Sequence, residues 1–391
     1  MCGLINFEYY SPTKIVFGRG SQENLGELVR SCGGKKVLLH FGGNSAKKSG
    51  VYDQVRQALL REGLQVVDLG GVKPNPRVSL IREGIRLCRA EGVDFILALG
   101  GGSVIDSAKG IAAGVYYDGD VWDFYMKRAQ VGKALPIGVV LTIPAAGSET
   151  SAGSVVTNEE GHYKRDCAGP SLIPKFAILN PEYCFTLPDY QVAAGVSDIL
   201  AHVMERYFTN TPHVDLTDRL CEATMRSVMI HAKRVLEDKQ DYDAWSEVMW
   251  AGTIAHCNIL GTGRQQDWAS HNIEHEFSAQ YDIAHGAGLA IIFPAWMKYV
   301  STYNPERFVQ FAVRVMGVDL SFTSQEEIIQ EGIRRLEDFS RSIGMPVRLH
   351  EAGIGSEHFE EMARKACLFG PLGNFRKLTQ EDIVKIYELA L

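Results

Sequence analysis

Residues 95–109 read FILALGGGSVIDSAK, an unbroken apolar run that gives way to three glycines, a serine and a helical pattern. Five aliphatic or aromatic residues in succession, with no polar alternation, suit a strand buried on both faces, as in a parallel sheet covered by helices. Gly100, Gly101 and Gly102 let the backbone approach a bulky anion. The helix opening near Val104 offers unpaired N–H groups at the positive end of its dipole. Ser103 and Asp106 lie at its first turn. The spacing is not GxGxxG, so the dinucleotide fingerprint is not strictly met. Read as structure alone, the same residues form a tight turn with Ser103 as N-cap.

The same grammar extends in both directions. KVLLHF (36–41), LQVVDL (64–69), IGVVLT (137–142) and FAIL (176–179) are short apolar runs, and helical patterns fill 49–62 and 77–91. Gly42-Gly43-Asn44-Ser45 follows the first of these runs. No acid stands there to hold a ribose 2′-hydroxyl, whereas Ser45, Lys47 and Lys48 supply donors and positive charge suited to a 2′-phosphate; the plainer reading is a solvated turn. Thr142 to Ser151 (TIPAAGSETS) is a third loop of small residues after a strand. After Pro188 the strand signal stops and helical periods run through 191–208, 214–239, 242–260, 271–280, 305–317 and 325–391. The expectation is an α/β N-terminal dinucleotide-binding domain with a parallel sheet (1–188) and an all-α C-terminal metal- and substrate-binding domain (189–391). A hinge is expected at the prolines 181 and 188, with a cleft between the domains as the ligand site.

Composition excludes several classes. The 391 residues are 46% hydrophobic and 22% charged, enough for a sizeable core and unlike a disordered chain. A net charge of −7 does not build the positive surface that phosphate backbones require, so no nucleic-acid partner is expected. No apolar run approaches the roughly 20 residues that span a bilayer, and the N-terminus lacks the pattern of a secretory signal. The eight cysteines form no CxxC pair and read as isolated, mostly buried thiols of a reducing, cytoplasmic compartment.

The second half carries a cluster of metal-binding residue types. Asp198 and His202 are four apart on one helix, with Cβ atoms about 6 Å from each other. His271 and His275 repeat that spacing, and His285 follows ten residues later. Imidazoles plus a carboxylate suit Zn²⁺ or Fe²⁺ with a position left open for a substrate oxygen. Spacing alone does not choose four ligands among these five. Asp267 reads as an N-cap. His40, His162, His213, His231, His256, His350 and His358 lack partners at ligand spacing and read as structural.

Taken in order, the chain resembles the iron-containing (group III) alcohol dehydrogenase family, in its NADP-preferring butanol dehydrogenase and aldehyde reductase branch. The resemblance is carried by PTKIVFG (12–18), GGVKPNP (70–76), GGGSVIDSAK (100–109), GSE (147–149), LNPE (179–182), the Asp198/His202 helix and the His271–His285 stretch. It implies metal ligands at Asp198, His202, His271 and His285, with His275 near the nicotinamide and not a ligand. Cofactor contacts carry over to Gly42, Ser45, Gly101, Gly102, Ser103, Asp106, Thr142 and Lys164. One departure stands out: Ala145-Ala146 replace the usual Gly-Thr before Gly-Ser-Glu, removing a hydroxyl from that loop.

The resemblance implies reversible hydride transfer between NADP(H) and a short-to-medium-chain alcohol or aldehyde such as butanol or butanal. It also implies one divalent cation, Fe²⁺ or Zn²⁺, His275 as proton relay, and a homodimer. The alternatives are an NAD-preferring polyol dehydrogenase, a metal- and NAD-dependent lyase of the dehydroquinate synthase kind, or a non-catalytic nucleotide- or metal-binding protein. Residues 267–286 contain no Lys or Arg, which disfavours the polyanionic substrate of such a lyase.

Overall fold

The computed structural model describes residues 3–321 and 324–391; Cys2 lies outside them. Two compact units make up the chain. One comprises residues 10–187 and 239–253; the other comprises the residues up to Tyr9, Pro188–Asp238 and Ile254–Leu391.

The first unit is built from β1 (Lys14–Phe17), α1 (Leu25–Ser31), β2 (Lys36–Phe41), α2 (Ser45–Lys48), α3 (Val51–Arg61), β3 (Gln65–Leu69), α4 (Val78–Glu91), β4 (Phe95–Gly100), α5 (Gly102–Gly114), α6 (Trp122–Tyr125), β5 (Ile137–Leu141), β6 (Gly153–Asn158), β7 (Tyr163–Ala168) and β8 (Phe176–Leu179). Six of these strands form one sheet in the order β1-β8-β5-β4-β2-β3, every neighbour parallel. All residues of β4, β5 and β8 are buried, as their uninterrupted apolar sequences require. The chain steps from β2 to β3 on one side and then places β4 on the other side of β2. That reversal is the topological switch point of a doubly wound sheet, where the carboxyl ends of adjacent strands open a crevice for a ligand.

Two features of this unit do not follow from the apolar runs. Strand β1, only KIVF, pairs with β8 at the sheet edge. The hairpin β6–β7 is antiparallel, and its mixed polar sequence (GSVVTN, YKRDCA) hides it from a search for apolar strands. Residues 239–253 fall after the change of grammar yet pack within this unit: the exposed rings of Phe17 and Trp250 meet edge to face at 6.3 Å, and Thr253 Oγ1 donates to Glu149 Oε1 at 2.7 Å.

Helices α7 (Asp189–Tyr207) and α8 (Asp215–Glu237), the end of α9 (Tyr242–His256), α10 (Ala269–Tyr281), α11 (His285–Val300), α12 (Pro305–Arg314), α13 (Gln325–Ser342), α14 (Phe359–Ala366) and α15 (Gln380–Ala390) form the second unit. Helix α11 escapes a reading by periodicity. Its sequence HGAGLAIIFPAWMKYV is apolar nearly all round and contains Pro294, because thirteen of its sixteen residues are buried. Among the described residues no helix is long and apolar enough to cross a membrane, and seven cysteines are free thiols, four of them buried.

Candidate metal centre and nucleotide cradle

In the helical unit, α7 is buried from Val196 to Tyr207 without interruption, so the polar residues on it sit in the interior. Asp198 and His202 project from one face. His202 Nδ1 lies 2.9 Å from Asp198 Oδ1, but its hydrogen bond goes to the Asp198 backbone carbonyl at 2.8 Å. His271 Nε2 approaches the same Oδ1 to 4.0 Å and His285 Nε2 to 3.9 Å. The His202 and His271 rings are 4.5 Å apart between centroids, and those of His271 and His285 are 5.3 Å apart. One aspartate oxygen therefore has three imidazoles gathered round it.

Asp198 Oδ1 and His271 Nε2 are both buried with no hydrogen-bond partner among the described residues. Stranding a buried charged acceptor and a ring nitrogen side by side costs several kcal/mol unless a third group satisfies both. A divalent cation does so, and this donor set of one carboxylate and three imidazoles fits one. Asp198, His202 and His271 each offer a ligand atom within 4.8 Å of the other two. Burial opposes charge on Asp198, yet the surrounding imidazoles hold its carboxyl well below the usual range. Burial, with the neighbouring imidazoles, keeps His271 well below its ordinary value and hence neutral, the form that ligates metal.

His275 is buried one turn after His271, its ring 5.4 Å from that of His285. Trp268 walls the cluster, its ring 5.1 Å from His271 and 5.8 Å from His202. It holds a left-handed φ of 70° as the N-cap of α10 and brings no capping side chain. The fully buried Arg206 guanidinium lies 4.7 Å over the Trp268 ring and donates to the His202 carbonyl at 2.7 Å and to His256 Nδ1 at 2.8 Å.

Two carboxylates at this centre carry no ligand signal in the sequence. Glu205, one turn beyond His202, accepts from His271 Nδ1 at 2.7 Å, from the His271 amide at 3.0 Å and from the Trp268 amide at 2.6 Å. It thus caps α10 from a neighbouring helix. Asp267, expected as an N-cap, shares that role only in part: its Oδ2 accepts from the Ala269 amide at 3.4 Å, while its Oδ1 binds the amide of Phe375 at 2.7 Å and that of Asn374, tying down the 374–375 loop. Burial pushes both carboxyls up to about 7. Glu274 is the second; it accepts from His285 Nδ1 and from Ser278 Oγ.

The other expected site residues lie in the α/β unit. Gly42 to Ser45 follow β2 and Gly101 to Ser103 follow β4, so both turns sit at the switch point. A Cβ on Gly42 would lie 3.9 Å from Val104 at the start of α5, and one on Gly102 would lie 3.4 Å from the Ala146 methyl. Gly101 is the N-cap of α5 and supplies no side chain, leaving the first amides uncapped by one. Ser103 is inside the helix. Thr142 directly follows β5, its amide donating to the Gly100 carbonyl at 3.1 Å. Asp106 accepts from Ser148 Oγ at 2.6 Å and from the Val155 amide at 3.0 Å. Its carboxyl is raised by burial against the opposing charges of Lys109 and Lys164. Lys164 is buried on β7 opposite Thr157. Lys109, fully buried, donates to the carbonyls of Ser148, Ser151 and Gly153 at 2.7–2.8 Å and so pins the loop after β5.

Residues 12–181 match the family model for iron-containing alcohol dehydrogenase, and residues 192–391 match the C-terminal model of the same family. The chain belongs to the iron-containing alcohol dehydrogenase family, and it is an oxidoreductase acting on alcohols or aldehydes. It is 45% identical over 386 residues to a probable NADH-dependent butanol dehydrogenase of Bacillus subtilis, covering 99% of this chain and 100% of that protein. It is 34% identical to the NADPH-dependent aldehyde reductase YqhD of Escherichia coli, covering 98% and 99%. A crystal structure of NADH-dependent butanol dehydrogenase A from Thermotoga maritima superposes with a TM-score of 0.96 at 41% identity, covering 99% of both chains.

Proposed function

We propose that this protein interconverts a short-to-medium-chain aldehyde such as butanal and its alcohol, with NADP(H) as hydride carrier and one Fe²⁺ or Zn²⁺ held by Asp198, His202, His271 and His285. The observation that carries the reading is the convergence of three imidazoles on an Asp198 oxygen that has no hydrogen-bond partner among the described residues. The cation supplies Lewis-acid polarisation of the substrate oxygen and the nucleotide supplies or accepts the hydride.

The protein's own groups bind, orient and move a proton. His275, in the same buried cluster and outside the ligand set, exchanges a proton with the substrate oxygen at a ring nitrogen, through water or a ribose hydroxyl. Trp268 supplies an apolar wall and residues 267–286 contain no Lys or Arg, which suits an uncharged substrate. The uncapped start of α5, with Gly101, Gly102 and Ser103, receives the pyrophosphate. Asp106, Thr142 and Lys164 border the nicotinamide half.

The choice of NADP(H) rests on the adenosine end, since the relatives' names include both nucleotides. Gly42 brings no acid to the β2 terminus, and Ser45, Lys47 and Lys48 are exposed just beyond it. Lys47 packs its ammonium 5.0 Å from the rings of Phe41 and Tyr52, which holds positive charge beside that turn. A homodimer and a cytoplasmic location complete the proposal; the exposed apolar pair Phe17 and Trp250 at the sheet edge supports the former.

The test is absorbance at 340 nm with butanal and either NADPH or NADH, alongside metal analysis of the purified protein. Stoichiometric oxidation of NADPH with one equivalent of Fe or Zn is the expected result. Failure to consume either nucleotide across an aldehyde chain-length series rejects the proposal.

A further inference from the structure

Two of the ligand histidines have carboxylates behind them, on the side away from Asp198. In His271 the Nε2 atom approaches Asp198 Oδ1, while Nδ1 is bonded to Glu205 at 2.7 Å. In His285 the arrangement repeats: Nε2 approaches Asp198 and Nδ1 is bonded to Glu274. Glu205 and Glu274 are themselves among the least exposed carboxylates of the protein, at 1% and 0%. They come from different helices, α7 and α10, and reach rings on α10 and α11.

We propose that Glu205 and Glu274 are positioning residues of the metal centre. Each accepts the Nδ1 proton of one histidine, fixing the tautomer that presents Nε2 as a lone pair and raising that nitrogen's basicity toward a cation. This inference rests on the metal reading given above.

The geometry excludes the competing role of direct ligation. Glu274, His275 and His285 also offer ligand atoms within 4.8 Å of one another. A cation there would compete for the His285 nitrogen that already bonds Glu274, and would leave the Nε2 that approaches Asp198 unused. Glu205 is saturated by three donors, two of them backbone amides, and so has a fixed position from which to hold the His271 ring. The fold makes room for the second carboxylate: a Cβ on Gly288 would lie 2.5 Å from Glu274 Oε1 and 2.7 Å from its Cγ. Carboxylates that accept from the far nitrogen of a ligating histidine typically contribute 10- to 100-fold in metal affinity.

The test uses full-length protein stripped of metal and reloaded with Co²⁺, whose visible d–d bands report coordination geometry. Glu205→Gln and Glu274→Gln keep shape and an acceptor oxygen but lose the charge. Each is expected to weaken Co²⁺ binding by about 10-fold or more in chelator competition, with shifted d–d bands and unchanged far-UV circular dichroism. Glu205→Ala and Glu274→Ala are expected to lose more. If either Gln variant keeps wild-type affinity and an unshifted spectrum, the positioning role of that residue is overturned. His271→Ala separates this from the parent reading: wild-type Co²⁺ affinity in that variant refutes the ligand set itself, whatever the glutamates do.

Discussion

Gly286 and Ala194 meet backbone to backbone: a Cβ on Gly286 would lie 1.8 Å from the Ala194 carbonyl oxygen and 2.6 Å from its carbon. This approach of α11 to α7 occurs one residue after His285 and four residues before Asp198. The glycine is thus what allows the start of α11 to come near the carboxylate. Gly286→Ala must push two buried helices apart, because the obstructing atoms are main chain. The expected loss is about 3 kcal/mol in urea-unfolding stability, at the upper end for overpacking, together with reduced metal per chain by elemental analysis. Full metal content with unchanged stability contradicts this account.

Loading the proposed centre is expected to stabilise the native state, since the unfolded chain would not gather the four proposed ligands. Free metal at 100 times its dissociation constant adds about 2.7 kcal/mol, visible as a rise in thermal midpoint when Zn²⁺ is returned to chelator-treated protein. Asp198→Asn is expected to abolish both that rise and turnover. An equal rise in the variant and the wild type places the binding elsewhere.

At the adenosine end, Gly42→Asp introduces a carboxylate that accepts a hydrogen bond from a 2′-hydroxyl and repels a 2′-phosphate. The position has space, its nearest neighbour being the Val72 carbonyl at 3.6 Å from an added Cβ. The expectation is a drop of at least ~10-fold in kcat/KM for NADPH with little change for NADH, about 1.4 kcal/mol of selectivity. Steady-state kinetics with both nucleotides decide it, and an unchanged ratio removes Gly42 from the 2′ site.

His40 gives a pH dependence whose sign is fixed by burial. Its ring is inaccessible, with Nδ1 2.9 Å from the Leu69 carbonyl and Nε2 2.8 Å from Ser107 Oγ, and burial lowers its pKa to about 4. The unfolded chain takes up a proton below about 6.5 while the folded one does not. The neutral ring therefore contributes its full stability above 6.5, and that contribution is lost as pH falls toward 4, by about 3 kcal/mol in all. His40→Gln keeps polar groups in place but does not titrate. Denaturant titrations between pH 7 and 4 should show the wild type losing stability more steeply than the variant; parallel curves refute the assignment.

The parallel sheet was legible because FILAL, IGVVL and FAIL are buried on both faces and tolerate no polar alternation. The candidate ligand residues stood out because Asp198/His202 and His271/His275 carry the one-turn spacing of a helix face, while the choice among them came from the family resemblance and not from spacing. What escaped has physical reasons too. Helix α11 shows no period because nearly every side is covered, and the β6–β7 hairpin mixes polar with apolar residues and lacks a continuous apolar run. Glu205 and Glu274 look like ordinary helix charges until their register is noted. Asp198, His202 and Glu205 fall at i, i+4 and i+7, and His271, Glu274, His275 and Ser278 at i, i+3, i+4 and i+7. Each set is a polar stripe on a helix that is otherwise interior. Asp267, an acid before a helix, reaches only the Ala269 amide at 3.4 Å, and Glu205 arrives from another helix to take the Trp268 and His271 amides.

The excursion of residues 239–253 into the α/β unit means that the polypeptide passes from one unit to the other four times. Cutting the gene at the proline-rich change of grammar near 188 would strip the first fragment of the stretch that meets Phe17 and Glu149. Module exchange among homologues must therefore transplant that stretch together with its sheet, or recover two incomplete halves.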